Sequence, residues 1–324
     1  MDKSKISRIL IVNLSNIGDA VLTTPVVQSL RDNFPHAHLA VLVGPRAFGV
    51  FKSDRRINQK IIYDKSITWK NKLALTNRLR HDNYDLVVDL RESFFSILLG
   101  SRYRTSVILK PPKSLLHMKD RHLWKVSSLG LTVDNTQGPS VELGAEEQLN
   151  VSKLLKKWQV KNNQVLIALA PGARNKTKRW EKQAYAQLIE KLKGSYNARI
   201  INVGDSDDRP LVEEIISSIR PQPINACGRT EIGELAYLLT KCKLLISNDS
   251  APMHLAWAVG TPVVSIFGPT DDRKYGPRGP KDVVIRKILD CAPCGKSLCF
   301  KGTRDCMKLI NVDQVFAACQ KILG

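Results

Sequence analysis

An acidic residue stands where a nucleotide-binding domain normally receives a phosphate. The segment 9–25, ILIVNLSNIGDAVLTTP, has the pattern of a buried strand, a short loop and the start of a helix. It contains one glycine, Gly18, in place of the three spaced glycines of a dinucleotide-binding motif, and Asp19 follows directly. Because a carboxylate repels phosphate at a helix amino terminus, the residues alone indicate that Asp19 caps the helix Ala20–Asn33.

A second polar group follows a buried strand in the C-terminal half. In SNDSAPMHLAWAVGTPVVSIFGPTDD, residues 247–272, Asp249 and the N-cap candidate Ser250 precede a helix over Ala251–Val259. The free N–H groups of such a helix suit a diphosphate, whereas Asp249 suits a sugar hydroxyl or anchors the loop. His254 either donates to a phosphate oxygen or packs into the core, and the residues leave both roles open.

A basic loop opens the second half of the chain. The segment 168–180, ALAPGARNKTKRW, has the pattern of a strand followed by a Pro-Gly loop with Arg174, Lys176, Lys178 and Arg179. Cations at the carboxyl end of a strand are well placed to neutralise a phosphate-bearing leaving group. The alternative is a basic surface loop with no ligand.

Four of the seven cysteines lie close together in the sequence CAPCGKSLCFKGTRDC, residues 291–306. The spacing starts as C-x2-C, which is typical of zinc or iron–sulfur sites, but the second pair is separated by six residues. A structural metal, a redox staple and reduced, packed thiols all remain open for the group Cys291, Cys294, Cys299 and Cys306. With an odd number of cysteines and no export signal, a disulfide framework is not expected.

The periodicity of the chain predicts two series of alternating strands and helices, which is typical of parallel sheets covered by helices. The first series has strands at Ile9–Leu14, Leu39–Val43, Lys60–Tyr63 and Leu86–Leu90, and helices at Ala20–Asn33 and Ile67–His81. The second has strands at Val165–Ala170, Arg199–Val203, Leu244–Ser247 and Pro262–Phe267, and helices at Glu181–Lys193, Pro210–Ile219, Glu231–Thr240 and Ala251–Val259. We therefore predict an α/β protein of two doubly wound, Rossmann-like domains facing each other across a cleft, with a linker at Trp158–Asn163.

The net charge of +20 predicts an anionic partner. Residues 102–125 alone carry seven Lys or Arg and one acid. A positive field attracts nucleic acid, anionic membrane surface or anionic substrate alike. Aromatic residues are only 6% of the chain and no basic recognition helix is evident, which argues against nucleic acid. The apolar runs are strand-sized and no signal-peptide cleavage site follows the amino terminus, so we expect a cytoplasmic protein.

Taken together, three of these segments resemble glycosyltransferase family 9, the bacterial lipopolysaccharide heptosyltransferases. IGDAVLTTP, PGA…KRW and SNDSAPMHLAWAVGTPVVSIFGPT occur in the order and spacing of that family, and the strand and helix pattern agrees over essentially the whole chain. The resemblance implies a GT-B fold and inverting transfer of a heptose from ADP-heptose to the inner core of lipopolysaccharide on lipid A-Kdo, as the second or a later heptose. It implies no required metal or cofactor. The cysteine-rich segment also resembles that of several members, which makes a dedicated metal site less expected.

The resemblance also implies roles for individual residues. Asp19 becomes the general base that takes a proton from the acceptor hydroxyl, and Lys178 binds the donor diphosphate. Ala251 stands where many members have glycine, which still admits close approach of a ligand. The donor-binding set expected in this way is Arg174, Lys178, Thr230, Asp249, Ser250, Ala251 and His254.

The same resemblance implies which anionic partner the positive charge attracts. An anionic glycolipid acceptor, together with peripheral contact at the cytoplasmic leaflet of the inner membrane, is expected at Arg102, Arg104, Lys110, Lys113, Lys119 and Arg121. The acids of VGDSDDRP, Asp205, Asp207 and Asp208, resemble a metal-binding D-x-D motif, but a GT-B enzyme uses helix dipoles and basic side chains instead. We expect these acids to contact ribose or to cap the helix Pro210–Ile219.

The domain boundaries follow from the same reasoning. Residues 1–160 are expected to bind acceptor and residues 161–310 the nucleotide sugar. Residues 311–324, with a helix at Val312–Leu323, are expected to cross back onto the first domain. The alternatives are a related GT-B enzyme that uses another sugar nucleotide, such as a different core sugar transferase or a UDP-sugar epimerase, and an inert sugar-binding protein.

Overall fold

The computed structural model describes residues 2–14, 16–64, 66–91, 93, 95–161 and 163–324. The chain divides into two compact units, Met1–Glu142 and Leu143–Gly324. The expected boundary lay at residue 160, and of the expected linker Trp158–Asn163, Asn162 lies outside the described residues. The difference arises because the helix before the linker packs within the second unit.

The first unit is a five-stranded parallel sheet with helices between its strands. Its strands are β1 (Arg8–Asn13), β2 (His38–Val43), β3 (Gln59–Ile62), β4 (Leu86–Asp89) and β5 (Tyr103–Arg104), in the spatial order β3-β2-β1-β4-β5. Its helices are α1 (Ile17–Leu22), α2 (Thr24–Asn33), α3 (Phe48–Phe51), α4 (Trp69–His81), α5 (Phe95–Leu98) and α6 (Met118–Ser127). The continuous apolar runs of β1 and β2 are buried on both faces, as strands covered by helices on both sides must be.

The second unit is a six-stranded parallel sheet of the same kind. Its strands are β6 (Leu166–Ala170), β7 (Arg199–Asn202), β8 (Ile224–Asn225), β9 (Leu244–Asn248), β10 (Val263–Phe267) and β11 (Val283–Arg286), in the order β11-β10-β9-β6-β7-β8. Its helices are α7 (Ala145–Lys157), α8 (Lys182–Tyr196), α9 (Arg209–Ile216), α10 (Ile232–Thr240), α11 (Ala251–Ala258), α12 (Asp272–Tyr275), α13 (Asp305–Lys308) and α14 (Val312–Leu323). The prediction of two doubly wound α/β domains is confirmed within each unit.

The second unit begins with α7 and ends with α14, and the packing of these two helices shows that both belong to it. Helix α7 packs on α10, where Asn150 Nδ2 donates to Glu234 Oε1 at 2.8 Å. Helix α14 packs on α8 and buries Val315 and Cys319 in the core of this unit. The structure therefore places the apolar face of the last helix on the second unit. Its expected return to the first domain stays a prediction.

The first helix also differs from the expected one. The segment predicted as one helix over Ala20–Asn33 is two helices, α1 and α2, divided at Thr23. Pro25 has no N–H to donate to a preceding turn, and the Thr23 hydroxyl donates to the Ala20 carbonyl at 2.7 Å. Because α1 begins at Ile17, Asp19 is the third residue of a helix and not part of the loop before it.

Candidate active site

Each sheet has one point at which the strand order reverses, and polar residues follow the strands there. In the first unit this point lies between β1 and β4, and in the second between β6 and β9. The loops after such strands diverge and leave a crevice at their carboxyl ends, which is where ligands bind to doubly wound sheets. Asp19 follows β1, Arg91 follows β4, Lys178 follows β6 and Asp249 follows β9.

In the first unit, Asp19 lies beside an arginine that the sequence analysis did not single out. Arg91 Nη1 is 3.8 Å from Asp19 Oδ2, and the carboxylate side chain is 20% exposed. Asp19 stands in the first turn of α1, where the unpaired N–H groups favour a negative charge. The structure therefore presents an accessible carboxylate whose charge is supported by a helix amino terminus and a guanidinium.

Asp89 fixes the loop that carries Arg91. Its Oδ1 accepts from the Arg91 backbone N–H at 2.9 Å, and its Oδ2 accepts from Ser93 Oγ at 2.7 Å. Asp89 is 1% exposed, and burial raises the pKa of its carboxyl group. The pattern LVVDLR, a buried strand followed at once by an acid and a base, is the signal by which the sequence indicates these two residues.

Further positive charge comes to this edge from α6, which packs on α1 and α2. His122 on α6 is fully buried, and its pKa is lowered to about 3, first by burial and then by the cations Lys125, Arg91 and Arg121. His122 is consequently neutral. Arg91, Arg121 and Lys125 therefore form a cationic cluster around His122. Of the three, Arg91 is 42% exposed, whereas Lys125 is 5% exposed and Arg121 Nη1 donates to the Leu115 carbonyl at 3.2 Å.

The residues expected to bind acceptor lie in different environments in the structure. Arg121 belongs to the cationic cluster, and Arg104, Lys110 and Lys113 are exposed at the surface. Lys119 is 5% exposed, and its ammonium donates to the carbonyls of Asn135 and Gln137 at 2.7 and 3.0 Å. Lys119 therefore stabilises a loop of the fold, and the structure gives no support to a binding role for it.

Arg102 also lies away from the switch point. It precedes β5, whose Tyr103 pairs with Leu86 at the beginning of β4, so Arg102 stands at the amino edge of the sheet. Its charge lowers the pKa of Asp2 there as the weakest of several causes, of which the largest is the hydrogen bond from Ser4. Ligands of doubly wound sheets bind at the opposite edge, so this position does not favour an acceptor contact.

In the second unit, a lysine and an aspartate meet between the loops after β6 and β9. Lys178 Nζ is 2.7 Å from Asp249 Oδ2, and the hydroxyl of Thr270 donates to the same oxygen at 2.6 Å. Asp249 is 7% exposed, whereas the Lys178 side chain remains 25% exposed. The ammonium thus has one fixed partner and an open side, which suits an incoming anion.

A buried asparagine holds these two loops together. The Asn248 amide nitrogen donates to the Pro171 carbonyl at 2.7 Å, and its oxygen accepts from the Trp180 backbone N–H at 3.1 Å. The basic loop that carries Lys178 is therefore attached at both ends to the last residue of β9. Thr270 and Asn248 are site residues that the sequence analysis missed.

His254 occupies the first turns of α11 but does not carry a charge. It is 5% exposed, and its pKa is lowered to about 4 chiefly by burial, with Asp249 acting in the opposite sense. Its Nδ1 has no hydrogen-bond partner among the described residues. Burial favours the core-packing alternative, while a neutral imidazole still has one N–H that can donate to a phosphate oxygen.

The helix amino terminus predicted for a diphosphate is present. Ser250 is the N-cap of α11, and Pro252 stands in its first turn, where a missing N–H costs nothing. The Ser250 hydroxyl lies 3.3 Å from that of Ser247 and makes no hydrogen bond to the helix. Ala251 N–H thus points along the helix axis at the edge where Lys178 lies.

The remaining donor candidates lie on loops at the same edge of the sheet. Arg174 is exposed on the loop after β6, and Thr230 is half-buried on the loop after β8. The loop of Thr230 is attached to the loop after β7 by a hydrogen bond of 3.0 Å from Gly228 N–H to the Gly204 carbonyl. The carboxyl edge of the second sheet therefore carries every residue of the expected donor set.

The acids of VGDSDDRP make capping and packing contacts that stabilise the fold. The Asp205 carboxylate accepts from the backbone N–H groups of Asp207 and Asp208, which caps the short 3-10 turn before α9. Asp208 lies 3.3 Å from Arg179 and packs against Gly172, where a Cβ atom would come within 2.1 Å of its carboxylate. Burial, together with the charge of Asp205, raises the pKa of Asp208. Asp208 therefore stabilises the basic loop through its contacts with Arg179 and Gly172.

The four clustered cysteines are free thiols that line one cavity with Pro269 and Arg304. Backbone N–H groups, that of Arg304 first, lower the pKa of Cys299, while burial raises that of Cys306. Among the residues that the structure describes, no three His, Cys, Asp or Glu side chains are placed to hold a metal ion.

Comparison with known proteins agrees with both units. A model of the family described as Glycosyltransferase family 9 (heptosyltransferase) matches residues 72–303. Over 285 residues the chain is 30% identical to lipopolysaccharide heptosyltransferase 3 of Escherichia coli strain K12, covering 78% of this chain and 80% of that protein. This chain belongs to glycosyltransferase family 9.

Two solved structures resemble the fold of this family 9 chain. The glycosyl transferase family 9 protein of Veillonella parvula DSM 2008 has a TM-score of 0.86 at 23% identity, covering 98% of this chain and 97% of that one. The E. coli heptosyltransferase WaaC with ADP has a TM-score of 0.74 at 17% identity, covering 97% and 99%. The family 9 chain has the GT-B fold, as its sequence predicted.

Family membership also decides between the classes of function that the residues left open. A member of family 9 is a glycosyltransferase, so the epimerase, the inert sugar-binding protein and the nucleic-acid binder are not supported. Within the described ranges, no helix is long and apolar enough to cross a bilayer.

Proposed function

We propose that this enzyme transfers a heptose from ADP-heptose to the inner core of lipopolysaccharide, with Asp19 as general base and inversion at the anomeric carbon. The observation that carries the proposal is the pairing of Lys178 with Asp249 at the switch point of the second sheet, beside the amino terminus of α11. The similarity to a lipopolysaccharide heptosyltransferase 3 supports the second or a later heptose on a lipid A-Kdo acceptor. The ADP in the structure of E. coli WaaC supports an ADP-linked donor.

The second unit activates the leaving group in this proposal. The Lys178 ammonium and the N–H groups of α11 bind the diphosphate and stabilise the negative charge that ADP gains as the bond to the sugar breaks. Asp249 holds Lys178 in place through one oxygen. Its other oxygen is directed to a hydroxyl of the heptose, and Thr230 approaches the nucleotide.

The first unit activates the nucleophile. Asp19 takes the proton of the acceptor hydroxyl while that oxygen forms its bond to the anomeric carbon, and the electron pair of the breaking bond leaves with ADP. Arg91 keeps the carboxylate oriented through the contact of 3.8 Å. Arg121, on α6, keeps its expected role as a contact for a phosphate group of the anionic acceptor.

The residues of this chain supply the charges that the reaction needs, so the proposal includes no metal and no cofactor. Because the acceptor is a glycolipid, we also propose a cytoplasmic enzyme at the inner membrane, in peripheral contact with its inner leaflet. Arg104, Lys110 and Lys113 are exposed and retain their expected contribution to that contact.

The experiment measures ADP release from ADP-heptose with a truncated lipopolysaccharide acceptor. Wild type should release ADP only when acceptor is present, and Asp19→Asn should be slower by roughly a hundredfold or more, since general-base catalysis supplies about that factor. Asp19→Asn should bind ADP like wild type, because the proposal assigns Asp19 to the acceptor hydroxyl and Lys178 to the donor diphosphate. Equal rates for wild type and Asp19→Asn would remove Asp19 from the mechanism.

A second outcome tests the donor separately. If wild type ignores ADP-heptose while another sugar nucleotide raises its melting temperature, the enzyme is the related transferase that uses a different core sugar. The fold and the role of Lys178 would stand in that case, and the assignment to ADP-heptose would fall.

A further inference from the structure

One side of the first sheet is covered by two helices, α4 and α5, that leave apolar side chains in solvent. Leu79 of α4 is buried against β1 and β4, and Phe95 of α5 packs edge-to-face on Tyr63, with ring centroids 5.4 Å apart. Arg80 Nε donates to the Leu98 carbonyl at 2.6 Å, which fixes the two helices to each other. We call their outer surface the α4–α5 face; it includes the exposed residues Trp69, Lys70, Leu73, Arg80, Ile97 and Leu98.

The apolar residues of the α4–α5 face are large and open to solvent. Trp69 is 69% exposed and Leu73 is 52% exposed, and the spacing of four residues places them one above the other on α4. Ile97 and Leu98 of α5 are each 46% exposed. Single exposed apolar residues are normal, but four on two adjoining helices indicate an interaction surface.

The charge of this surface has one sign. Helix α4 carries Lys70, Lys72, Arg78 and Arg80 and no acid. The chain from Phe95 to Lys119 likewise contains five Lys or Arg and no acid. The carboxylates that flank α4 have partners of their own, since Asp64 accepts from Ser66 and Asp82 from Tyr84.

We propose that the α4–α5 face docks on the surface of an anionic phospholipid bilayer. Trp and Leu beside Lys and Arg on an exposed helix are suited to a headgroup layer, where the apolar side chains insert and the cations meet lipid phosphates. Trp69 and Leu73 are the inserting pair, and Lys70 and Arg80 are the phosphate contacts. A second copy of the chain is disfavoured as the occupant because it would bring two sets of cations together.

This docking surface deepens the proposed function, because it identifies which face of the enzyme meets the membrane of its glycolipid acceptor. Its residues are different from Asp19 and Arg91, the residues proposed to act in the reaction. Docking should therefore be separable from transfer when the acceptor is in free solution.

The experiment measures co-sedimentation of the full-length protein with vesicles of phosphatidylcholine alone and of phosphatidylcholine with phosphatidylglycerol. We expect binding only to the anionic vesicles, weakening as salt is added. Lys70→Gln should weaken binding about fivefold, because one cation near an anionic surface contributes about that factor. Trp69→Ala with Leu73→Ala should weaken it about tenfold or more through lost apolar burial.

A matched control lies on α7, where Leu149 is 56% exposed and Lys153 is exposed one turn later, next to the acids Glu146 and Glu147. Leu149→Ala with Lys153→Gln removes the same residue types and should bind vesicles like wild type. Equal vesicle binding by wild type and the Trp69 and Leu73 variant, or equal loss in the α7 control, would overturn the proposal.

Transfer to a deacylated, soluble acceptor separates docking from catalysis. The Trp69 and Leu73 variant should transfer to this acceptor at the wild-type rate, whereas Asp19→Asn should be slow on it. Slow transfer by the Trp69 and Leu73 variant would make the face part of the acceptor site and overturn its assignment to the bilayer. A change from dimer to monomer in that variant by ultracentrifugation would show that a second copy is the occupant, which would also overturn it.

Discussion

Lys178 and Asp249 form an ion pair of 2.7 Å between two loops that follow adjacent strands of the second sheet. The lysine comes from the loop after β6 and the aspartate from the residue after β9. Thr270, on the loop after β10, donates to the same carboxylate oxygen at 2.6 Å. Three loops thus hold the Lys178 ammonium in place beside the amino terminus of α11. Because these groups are already ordered, ligand binding costs little conformational entropy.

We predict that Lys178→Ala weakens ADP binding by roughly tenfold to a hundredfold. The charge-assisted contact to the diphosphate is lost, and Asp249 is left without its partner. Lys178→Arg should restore part of the affinity, because it keeps the charge with a different shape. Isothermal titration with ADP measures the effect.

Lys176→Ala is the matched control for that measurement, since Lys176 stands in the same short turn and is exposed. It should bind ADP like wild type. Loss of affinity in both variants would indicate a general effect of charge on the loop and not a contact of Lys178 with the diphosphate.

We predict that Arg91→Gln lowers kcat by about tenfold and leaves the affinity for ADP unchanged. Arg91 lies 3.8 Å from Asp19 and acts by positioning the carboxylate, so it contributes to the reaction and not to donor binding. Arg91→Lys should recover part of kcat. Steady-state kinetics with a truncated acceptor provides the measurement.

The exposed Arg46, which follows β2, is the control for Arg91. Arg46→Gln removes the same charge from the same sheet and should keep the wild-type kcat. If Arg91→Gln instead raises the KM for acceptor with kcat unchanged, Arg91 binds acceptor phosphate and does not position Asp19.

We predict that Gly172→Ala destabilises the second unit by about 1–3 kcal/mol and also weakens ADP binding. A methyl group there would meet the Asp208 carboxylate at 2.1 Å, so the loop that carries Lys178 must shift. Thermal unfolding and ADP titration measure the two effects.

Gly194→Ala is the contrasting substitution in the same unit. Gly194 lies inside α8 and a Cβ atom there would meet nothing within 4 Å. Alanine should therefore stabilise the helix by about 0.5–1 kcal/mol. A similar melting temperature for the two variants would contradict the tight packing at Gly172.

We predict that His122 makes the protein less stable as the pH falls below about 6.5. Burial and the neighbouring cations lower its pKa from 6.5 to about 3, so between these values only the unfolded chain binds the proton. Protonation then favours unfolding, and at pH 5 this removes about 2 kcal/mol of stability relative to pH 7.

Urea unfolding of wild type and His122→Gln at pH 7 and pH 5 tests the effect. The variant should lose about 2 kcal/mol less than wild type between the two pH values, whatever its stability at pH 7. Equal losses would mean that His122 binds its proton in the folded protein with an ordinary pKa, in conflict with its burial.

The parallel sheets and the positions of the site residues were predictable from the sequence. Apolar runs such as LLISN and ILIVN have the length of strands, and Asp249 and Asp19 come soon after them. A residue that closely follows a strand of a parallel sheet stands at its carboxyl edge whatever the details of packing. For that reason Lys178 and Asp249 could be placed at one edge before the structure was known.

What the sequence could not provide is the tertiary partner of each side chain. Lys119 has the residue type of a phosphate ligand, and only the fold shows that two loop carbonyls already occupy its ammonium. Helix α6 is absent from the predicted helices because His117, Lys119 and Arg121 obscure its apolar stripe. The pairing of Arg91 with Asp19 joins residues far apart in the chain, and no local pattern encodes it.

The packing of α7 and α14 defines the smallest piece of this protein that should fold on its own as the donor-binding half. A fragment of residues 143–324 retains the α7 to α10 contact at Asn150 and the burial of Cys319. A fragment cut at residue 161, or stopped before Val312, would expose an apolar helix face to water. Nucleotide recognition could thus be examined by NMR spectroscopy on little more than half of the chain, provided that both terminal helices are kept.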